Sequence, residues 1–289
     1  MRSFLTSALA ASLLSLFACN LSPPLFANAA GVHEKSPSLA GPLGKDCLQG
    51  SKYTGEPKGK NLTIAGMPTY VSEASRHGDH SSGNGVAKVI MFFSDVFGPF
   101  YINNELLQDY FASKGFHVLG PDYFFGDPIQ NHDGEAGFNQ TEWMDKSIQQ
   151  ADANLPGWIT KVKETYGPNA KYSAVGYCFG APHAMNIGAS DDVVATAFAH
   201  PAFLTEDHFN LLRKPLLMSC AETDVTFPTE SLRRSHDLLS QQNATYHLQI
   251  FSNTTHGFAT RSDPEDPNST WAKEQSAKSV VEWFNRFSV

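Results

Sequence analysis

The chain has 289 residues, of which 41% are hydrophobic and 17% are charged. This composition can bury a hydrophobic core and argues against an intrinsically disordered chain, and the length suits one α/β domain. The formal net charge of −8, with no dense basic run, argues against nucleic acid or an anionic membrane surface as a partner.

The N-terminal 1–29 segment has the pattern of a secretory signal peptide. A positive charge at Arg2 precedes an uncharged, largely apolar stretch over residues 4–18. Small residues then stand at Ala27 and Ala29, the two positions that a signal peptidase reads. The alternative is an uncleaved membrane anchor, but a stable span needs roughly 20 apolar residues. We therefore predict a secreted protein without stable membrane insertion.

Acceptor sequences for N-linked glycans support the prediction of export. Asparagine followed two residues later by serine or threonine occurs five times after residue 29. Four of these asparagines are candidate glycosylation sites, namely Asn61, Asn139, Asn243 and Asn268. The fifth, Asn253, lies three residues before His256, where a glycan would obstruct a site, so we expect it to be unused.

Residues 30–60 are rich in glycine, proline, serine and lysine, which predicts an irregular N-terminal arm ahead of a domain over residues 61–289. Within the domain, short apolar runs alternate with helical patterns. The predicted strands are 87–93, 116–120, 172–176, 194–199, 215–220 and 246–251. The predicted helices are 103–114, 141–166 with a break at Pro156, 181–189, 229–241 and 271–287. This alternation predicts an α/β fold with a mostly parallel central sheet and helices on both faces.

A glycine-flanked cysteine follows the predicted strand 172–176 and precedes a predicted helix. Gly176 and Gly180 flank Cys178 at the spacing of a nucleophile elbow, with cysteine in place of the more usual serine. The glycines let the chain turn sharply around a strained nucleophile, and the N-terminus of the following helix favours a thiolate. The alternative is a small buried thiol in a glycine-rich turn.

Two further residues complete a candidate triad, in the chain order nucleophile, acid, base that belongs to the α/β-hydrolase fold. Asp224 and His256 each follow a predicted strand, and open α/β sheets place their sites beyond the carboxyl ends of strands. Glu222 is a rival acid, and His200 is a rival base that precedes the acid and so has the wrong order. The remaining histidines lack metal-ligand spacing, so we predict no metal.

The triad predicts nucleophilic catalysis. His256 takes the proton of the Cys178 thiol, while Asp224 orients the imidazole. The thiolate attacks a carbonyl group and forms a thioester, which water activated by His256 then hydrolyses. The backbone N–H groups of Phe179 and Val96 are the expected donors of an oxyanion hole.

The number of cysteines bears on the role of Cys178 as a nucleophile. Without the signal peptide the chain has Cys47, Cys178 and Cys220, and an odd number in a secreted protein leaves at least one thiol unpaired or paired between chains. A nucleophilic Cys178 must stay free. Cys47 and Cys220 then either form a disulfide or remain two separate buried thiols.

Several segments resemble the dienelactone hydrolase family, especially its fungal members, over most of residues 45–289. They are residues 94–98, 121–128 and 176–180, and the group formed by His256, Phe258 and Arg261. The resemblance implies the α/β-hydrolase fold and hydrolysis of cyclic unsaturated esters such as dienelactone, without cofactors.

The resemblance also implies roles for two residues in substrate binding or activation. Asp95 takes the place of a glutamate that helps to generate the thiolate in the family, and its side chain is shorter. Arg261 corresponds to an arginine that binds the substrate, although it lies five residues after His256 rather than four as in bacterial members. Phe258 is a candidate to line an apolar pocket. The alternatives are a turn-forming Asp95, a solvated Arg261 and a packing role for Phe258.

The leading prediction is a cysteine-dependent hydrolase that acts on a small-molecule ester or lactone. One alternative is a general esterase or thioesterase acting on hydrophobic acyl groups. Another is a secreted protein that keeps the fold and binds a ligand without catalysis. The presence of all three triad residues favours an enzyme.

Overall fold

A central eight-stranded sheet organises the computed structural model, which describes residues 36–75 and 85–289 and so leaves the predicted signal peptide outside the described residues. The strands are β1 (Lys60–Ile64), β2 (Met67–Ser72), β3 (Lys88–Phe93), β4 (His117–Pro121), β5 (Lys171–Tyr177), β6 (Ala195–Ala199), β7 (Leu216–Thr223) and β8 (Tyr246–Thr255). Their order in the sheet is β1-β2-β4-β3-β5-β6-β7-β8. β2 pairs antiparallel with β1 and β4, and the other neighbours pair parallel, so the predicted mostly parallel sheet is confirmed.

Helices cover both faces of the sheet, as predicted, and β3 shows this because its side chains alternate between two hydrophobic clusters. Met91 packs in a cluster with the helix Gln140–Tyr166, whereas Phe92 packs in a cluster with the helices Ile102–Ser113 and Pro267–Phe287. The other described helices are Ala181–Gly188, Glu206–Asn210, Thr229–Gln241 and Phe258–Arg261, with 3₁₀ turns at Lys45–Leu48, Ile129–His132 and Cys178–Gly180. Among the described helices, none has the length and apolar character needed to cross a membrane.

The predicted helix break at Pro156 is wrong, because one helix runs without interruption over Gln140–Tyr166. Proline inside a helix removes a backbone hydrogen bond and costs about 3 kcal/mol. Leu155, Trp158 and Ile159 are buried beside the proline, and burial of a large apolar side chain contributes roughly 1.5–3 kcal/mol. Packing against the sheet therefore outweighs the local penalty.

The antiparallel hairpin of β1 and β2 was not predicted. β1 is exposed along most of its length, so it lacks the apolar run of a buried strand, and β2 contains Pro68. Ala65 and Gly66 join the two strands with φ values of 49° and 81°. Positive φ at both central residues is the conformation of a two-residue hairpin turn. The sequence feature that indicates this hairpin is therefore the turn and not the two strands.

The N-terminal arm, described over residues 36–59, crosses the carboxyl edge of the sheet. The N–H of Gly41 donates to the carbonyl of Thr226, in the loop beyond β7. The N–H of Ser51 donates to the carbonyl of Arg261, in the segment beyond β8. The arm is therefore attached to the loops that follow neighbouring strands, at the edge where the candidate triad lies.

Candidate active site

Cys178 follows β5 directly and begins the 3₁₀ turn Cys178–Gly180, which leads into the helix Ala181–Gly188. Its φ is +50°, a left-handed conformation that is strained for a residue with a side chain and that clusters at functional sites. The side chain is fully buried. The predicted strand, cysteine turn and helix are therefore present in that order.

Close backbone approach explains the two glycines that flank Cys178. A Cβ atom on Gly176 would lie 2.3 Å from the carbonyl oxygen of Gly180. A Cβ atom on Gly180 would lie 2.2 Å from the carbonyl oxygen of Phe93, at the end of β3. Both distances are well inside the separation at which carbon atoms attract one another. Glycine at these positions thus allows the cysteine turn to pack directly against β3.

Replacing Gly180 by alanine is expected to destabilise the chain by about 1–3 kcal/mol, because the new methyl group would overlap backbone that cannot rotate away. Urea unfolding followed by circular dichroism measures the change. Gly157 provides the matched control, since it is exposed within a helix and no atom lies within 4 Å of a Cβ built there. Alanine at position 157 should stabilise the helix by about 0.5–1 kcal/mol. Wild-type stability in Gly180→Ala would contradict this explanation of the turn.

His256 follows β8, and its Nδ1 lies 3.0 Å from both carboxylate oxygens of Asp224. The Oδ1 atom of Asp224 also accepts the backbone N–H groups of Thr226 at 2.9 Å and Phe227 at 3.0 Å. These bonds fix the carboxylate in the loop after β7, and the carboxylate in turn fixes the orientation of the imidazole.

The two rival residues take other positions. Glu222 is exposed, and its carboxylate accepts the N–H of Asn253 at 2.7 Å. His200 is fully buried, its ring centroid lies 5.0 Å from that of His256, and neither of its ring nitrogens has a hydrogen-bond partner in the described chain. Burial lowers the pKa of His200, so its ring stays neutral. The acid–imidazole pair is therefore formed by Asp224 and His256.

The remaining ring nitrogen of His256, Nε2, is buried and has no hydrogen-bond partner among the described residues. The sulfur atoms of Cys178 and Cys47 and one ring nitrogen of His256 all lie within 4.8 Å of one another. The structure thus brings together Cys178, His256 and Asp224, the three residues of the predicted triad, and places a second cysteine beside them.

Cys47 was not predicted to lie in this site. It belongs to the 3₁₀ turn Lys45–Leu48 of the arm, it is fully buried, and its sulfur lies 3.8 Å from the hydroxyl of Thr226. The disulfide between Cys47 and Cys220 is wrong, because both thiols are free and Cys220 is buried in a different hydrophobic cluster. The alternative of two separate buried thiols is confirmed.

Electrostatic interactions favour a charge on Cys47 rather than on Cys178 in this arrangement. Burial raises the pKa of Cys178 well above its usual range. The neighbouring Cys178 thiol, against the effect of burial and together with His256, lowers the pKa of Cys47 to about 4. Burial opposes charge on His256, but Asp224 and Cys47 outweigh it and raise its pKa to about 9. These shifts favour a negative charge on Cys47 and a positive charge on His256 over a charge on Cys178.

Asp95 lies just beyond β3, and its buried carboxylate is fully engaged. Oδ1 accepts the N–H of Phe97 at 3.1 Å and the side-chain amide of Asn104 at 2.9 Å. Oδ2 accepts the hydroxyl of Thr260 at 2.9 Å and forms an ion pair with Arg261. Asp95 is therefore more than a turn-forming residue, because it anchors a buried cation.

Arg261 is only 3% exposed, so the alternative of a solvated loop charge is wrong. One terminal nitrogen pairs with Asp95, Nε donates to the carbonyl of Gln49 at 2.8 Å, and Nη2 donates to the carbonyl of Cys47 at 3.1 Å. The guanidinium carbon lies 4.7 Å from the centroid of the Phe97 ring. Arg261 thus joins Asp95 to the part of the arm that carries Cys47, and this role was not visible in the sequence.

The other predicted site residues are buried. Val96 and Phe179 lie just beyond the carboxyl ends of β3 and β5, which are neighbouring strands. Phe258 packs against Phe251, with ring centroids 5.2 Å apart, and against His200, with centroids 5.8 Å apart. Phe258 is thus part of the core beside the two histidines of the site.

Known proteins resemble this chain along most of its length. Residues 78–288 match the dienelactone hydrolase family. Dienlactone hydrolases 1 and 2 of Gibberella moniliformis are 33% identical over 256 residues and 34% identical over 253 residues; each match covers 86% of this chain, and 95% and 96% of the two relatives. The solved dienelactone hydrolase of Anabaena variabilis has a TM-score of 0.54 at 15% identity, with 81% of this chain and 100% of that chain covered. The likeness to solved structures confirms the predicted fold.

Proposed function

Because the chain belongs to the dienelactone hydrolase family, as its motifs predicted, we propose that it hydrolyses esters or lactones through Cys178, Asp224 and His256. One observation carries this proposal. His256 is bound to Asp224 through Nδ1 and keeps an unpartnered ring nitrogen in the same buried cluster as the Cys178 sulfur. A nucleophile, a base and an orienting acid need this order of neighbouring groups.

The reaction proceeds through a thioester. His256 accepts the thiol proton of Cys178, and the sulfur attacks the carbonyl carbon, whose oxygen becomes an oxyanion bound by the N–H groups of Phe179 and Val96. Collapse of this intermediate breaks the ester C–O bond, and the imidazolium protonates the departing alkoxide. His256 then takes a proton from water and the hydroxide attacks the thioester. The C–S bond breaks, the acid leaves, and the imidazolium returns the proton to the sulfur of Cys178.

Access to Cys178 requires movement of the arm segment that carries Cys47. Both cysteines are fully buried and their sulfurs are neighbours, so a shift of this segment would give a substrate carbonyl a path to the nucleophile. The shift also removes Cys47 from His256, and with it one of the interactions that raise the pKa of the imidazole. His256 then becomes a neutral base that can take the proton of Cys178, as the mechanism requires.

Arg261 couples substrate recognition to this movement. Its guanidinium holds the backbone carbonyls of Cys47 and Gln49 in the closed arrangement. A carboxylate on the substrate would compete with these neutral carbonyls, and charge-assisted bonds from arginine are the stronger ones. Asp95 keeps the guanidinium in place throughout and acts on Cys178 through Arg261, since its own hydrogen bonds go to other groups.

A substrate panel on the purified, reduced chain tests the proposed function. An unsaturated lactone that carries a carboxylate should show the highest kcat/KM, ahead of a p-nitrophenyl ester and a neutral thioester. A preference for neutral esters with long acyl groups would instead favour a general esterase. Lack of turnover across all three substrate classes would contradict a hydrolase and favour a ligand-binding protein.

We also propose that the chain is a secreted glycoprotein, as its N-terminal pattern and sequons indicate. Asn61, Asn139 and Asn243 are exposed and Asn268 is half-buried, so these candidate sites are accessible at least in part. Expression of the full chain in a eukaryotic secretory host tests this proposal. Protein from the medium should begin after Ala29 and lose mass on treatment with a peptide N-glycosidase; retention of residues 1–29 would contradict cleavage.

A further inference from the structure

The buried cluster at the carboxyl edge of the sheet contains one group that the proposed hydrolysis does not use. Cys47 supplies a second sulfur within 4.8 Å of both the Cys178 sulfur and a ring nitrogen of His256. All three residues are buried, and the arm brings Cys47 to the site from a distant part of the chain. Two thiols and one imidazole in this arrangement are a set of soft metal ligands.

We propose that Cys47, Cys178 and His256 together bind one thiophilic metal ion, of which Zn²⁺ is the commonest in proteins. Bonds of about 2.3 Å to sulfur and 2.0 Å to nitrogen place neighbouring ligand atoms roughly 3.5–3.8 Å apart around a tetrahedral ion. The corresponding atoms of Cys47, Cys178 and His256 are within 4.8 Å of one another in the structure. Inward shifts of about 1 Å, by rotation of side chains, are therefore enough to close the site around an ion.

His256 is already oriented as a metal ligand. Its Nδ1 is bound to Asp224 at 3.0 Å, and its buried Nε2 has no hydrogen-bond partner among the described residues. Histidines that bind metals usually present one ring nitrogen to the ion and bond the other to a carboxylate, which fixes the ring. A buried nitrogen left without a partner carries a desolvation cost, which a metal bond would remove.

The charges of the site also favour a soft divalent ion. Two thiolates balance the charge of Zn²⁺, so the loaded cluster is neutral, and burial of a neutral cluster costs less than burial of separate charges. Hard ions such as Mg²⁺ and Ca²⁺ prefer oxygen ligands and do not suit two sulfurs. Three protein ligands leave a fourth position for water or another small ligand.

Arg261 acts as a positioning residue for this site. It donates to the carbonyl of Cys47 at 3.1 Å and to that of Gln49 at 2.8 Å. These bonds keep Cys47 next to the other two proposed ligands, Cys178 and His256. Metal binding would engage both the sulfur of Cys178 and the free nitrogen of His256. The loaded chain therefore cannot carry out the proposed hydrolysis, and removal of the ion restores the nucleophile and the base.

Titration of the full, reduced chain with Co²⁺, under argon, tests the proposal, because Co²⁺ takes Zn²⁺ sites and gives visible absorption. The expected result is one Co²⁺ per chain, with thiolate-to-metal charge-transfer bands and tetrahedral d–d bands that Zn²⁺ abolishes. Loss of a residue that only hydrogen-bonds to a metal ligand weakens metal binding about 10–100-fold. Cys47→Ala removes a ligand itself, so it should weaken Co²⁺ binding by at least this much. Cys220→Ala, which removes a buried thiol elsewhere, should bind Co²⁺ like the wild type.

Circular dichroism and thermal unfolding of both variants separate a lost ligand from a lost fold. Equal Co²⁺ affinity in Cys47→Ala and the wild type would overturn the proposal, as would absorption without thiolate charge transfer. The proposal would also be overturned if the reduced chain took up no metal and the two cysteines, Cys47 and Cys178, instead formed a disulfide on oxidation. Absorbance reports metal binding, whereas ester turnover is measured without added metal. The metal-site proposal and the hydrolase proposal can therefore fail independently.

Discussion

Replacing Cys178 by alanine is expected to lower kcat for a small activated ester by a factor of roughly 10⁴–10⁶, as loss of a triad nucleophile does in other hydrolases. The alanine variant keeps the oxyanion donors and the imidazole but has no atom that can form the thioester. The residue is fully buried with a φ of +50°, and alanine keeps the Cβ atom while it removes only the sulfur. Release of p-nitrophenol measures the loss.

Cys220→Ala is the matched control, since it removes another fully buried thiol that lies outside the site. It should keep most of the wild-type activity while bearing a comparable loss of stability from the missing sulfur. If Cys178→Ala folded and retained turnover within tenfold of the wild type, the nucleophile would have to be another group. Cys47 would be the first to examine, because its sulfur is the nearest alternative.

Replacing Arg261 by methionine is expected to lower the free energy of unfolding by about 3–5 kcal/mol, the usual cost of leaving one partner of a buried ion pair alone. Asp95 would be left at 1% exposure without its cation. The same change removes the bonds to Gln49 and Cys47, so the arm should detach more readily. Urea unfolding measures the first effect, and the rate of tryptic cleavage at Lys52 measures the second.

An exposed ion pair supplies the control. Lys161 and Glu164 lie on the surface of a helix, and pairs of this kind contribute about 0.5 kcal/mol or less. Lys161→Met should therefore leave both stability and arm cleavage nearly unchanged. Combining Arg261→Met with Asp95→Asn should cost less than the sum of the two single changes, because the second removes the stranded charge. Additive losses would contradict a direct pair.

Elements with a strong hydrophobic period were predictable from sequence. The helix at Thr229–Gln241 was predicted with its observed bounds, and the strand predicted at 87–93 is β3. Elements that depend on distant packing were not predictable. The helix continues through Pro156 because its neighbours are buried on the sheet, and the exposed strand β1 exists because it pairs with β2.

The juxtaposition of Cys178, Asp224 and His256 was predictable because chain order and strand ends are properties of the sequence. Asp224 and His256 each follow a parallel strand, and the topology brings those ends together. The position of the arm at the site was not predictable, because an irregular segment has no hydrophobic repeat from which its packing could be predicted. The bond between Arg261 and the carbonyl of Cys47 joins residues 214 positions apart. Local spacing around the histidines therefore cannot reveal the metal site proposed above, whose residues come from such distant parts of the chain.

Acid-quench mass spectrometry tests the central claim most directly, because the thioester is the step that defines this chemistry. The wild-type chain is mixed with a p-nitrophenyl ester at saturating concentration, quenched within milliseconds in acid, digested and sequenced. The expected result is one acyl group per chain on the peptide that contains Cys178, with a lifetime prolonged in His256→Gln. An acyl group found on Cys47, or turnover with no acylated peptide under conditions that preserve thioesters, would contradict it.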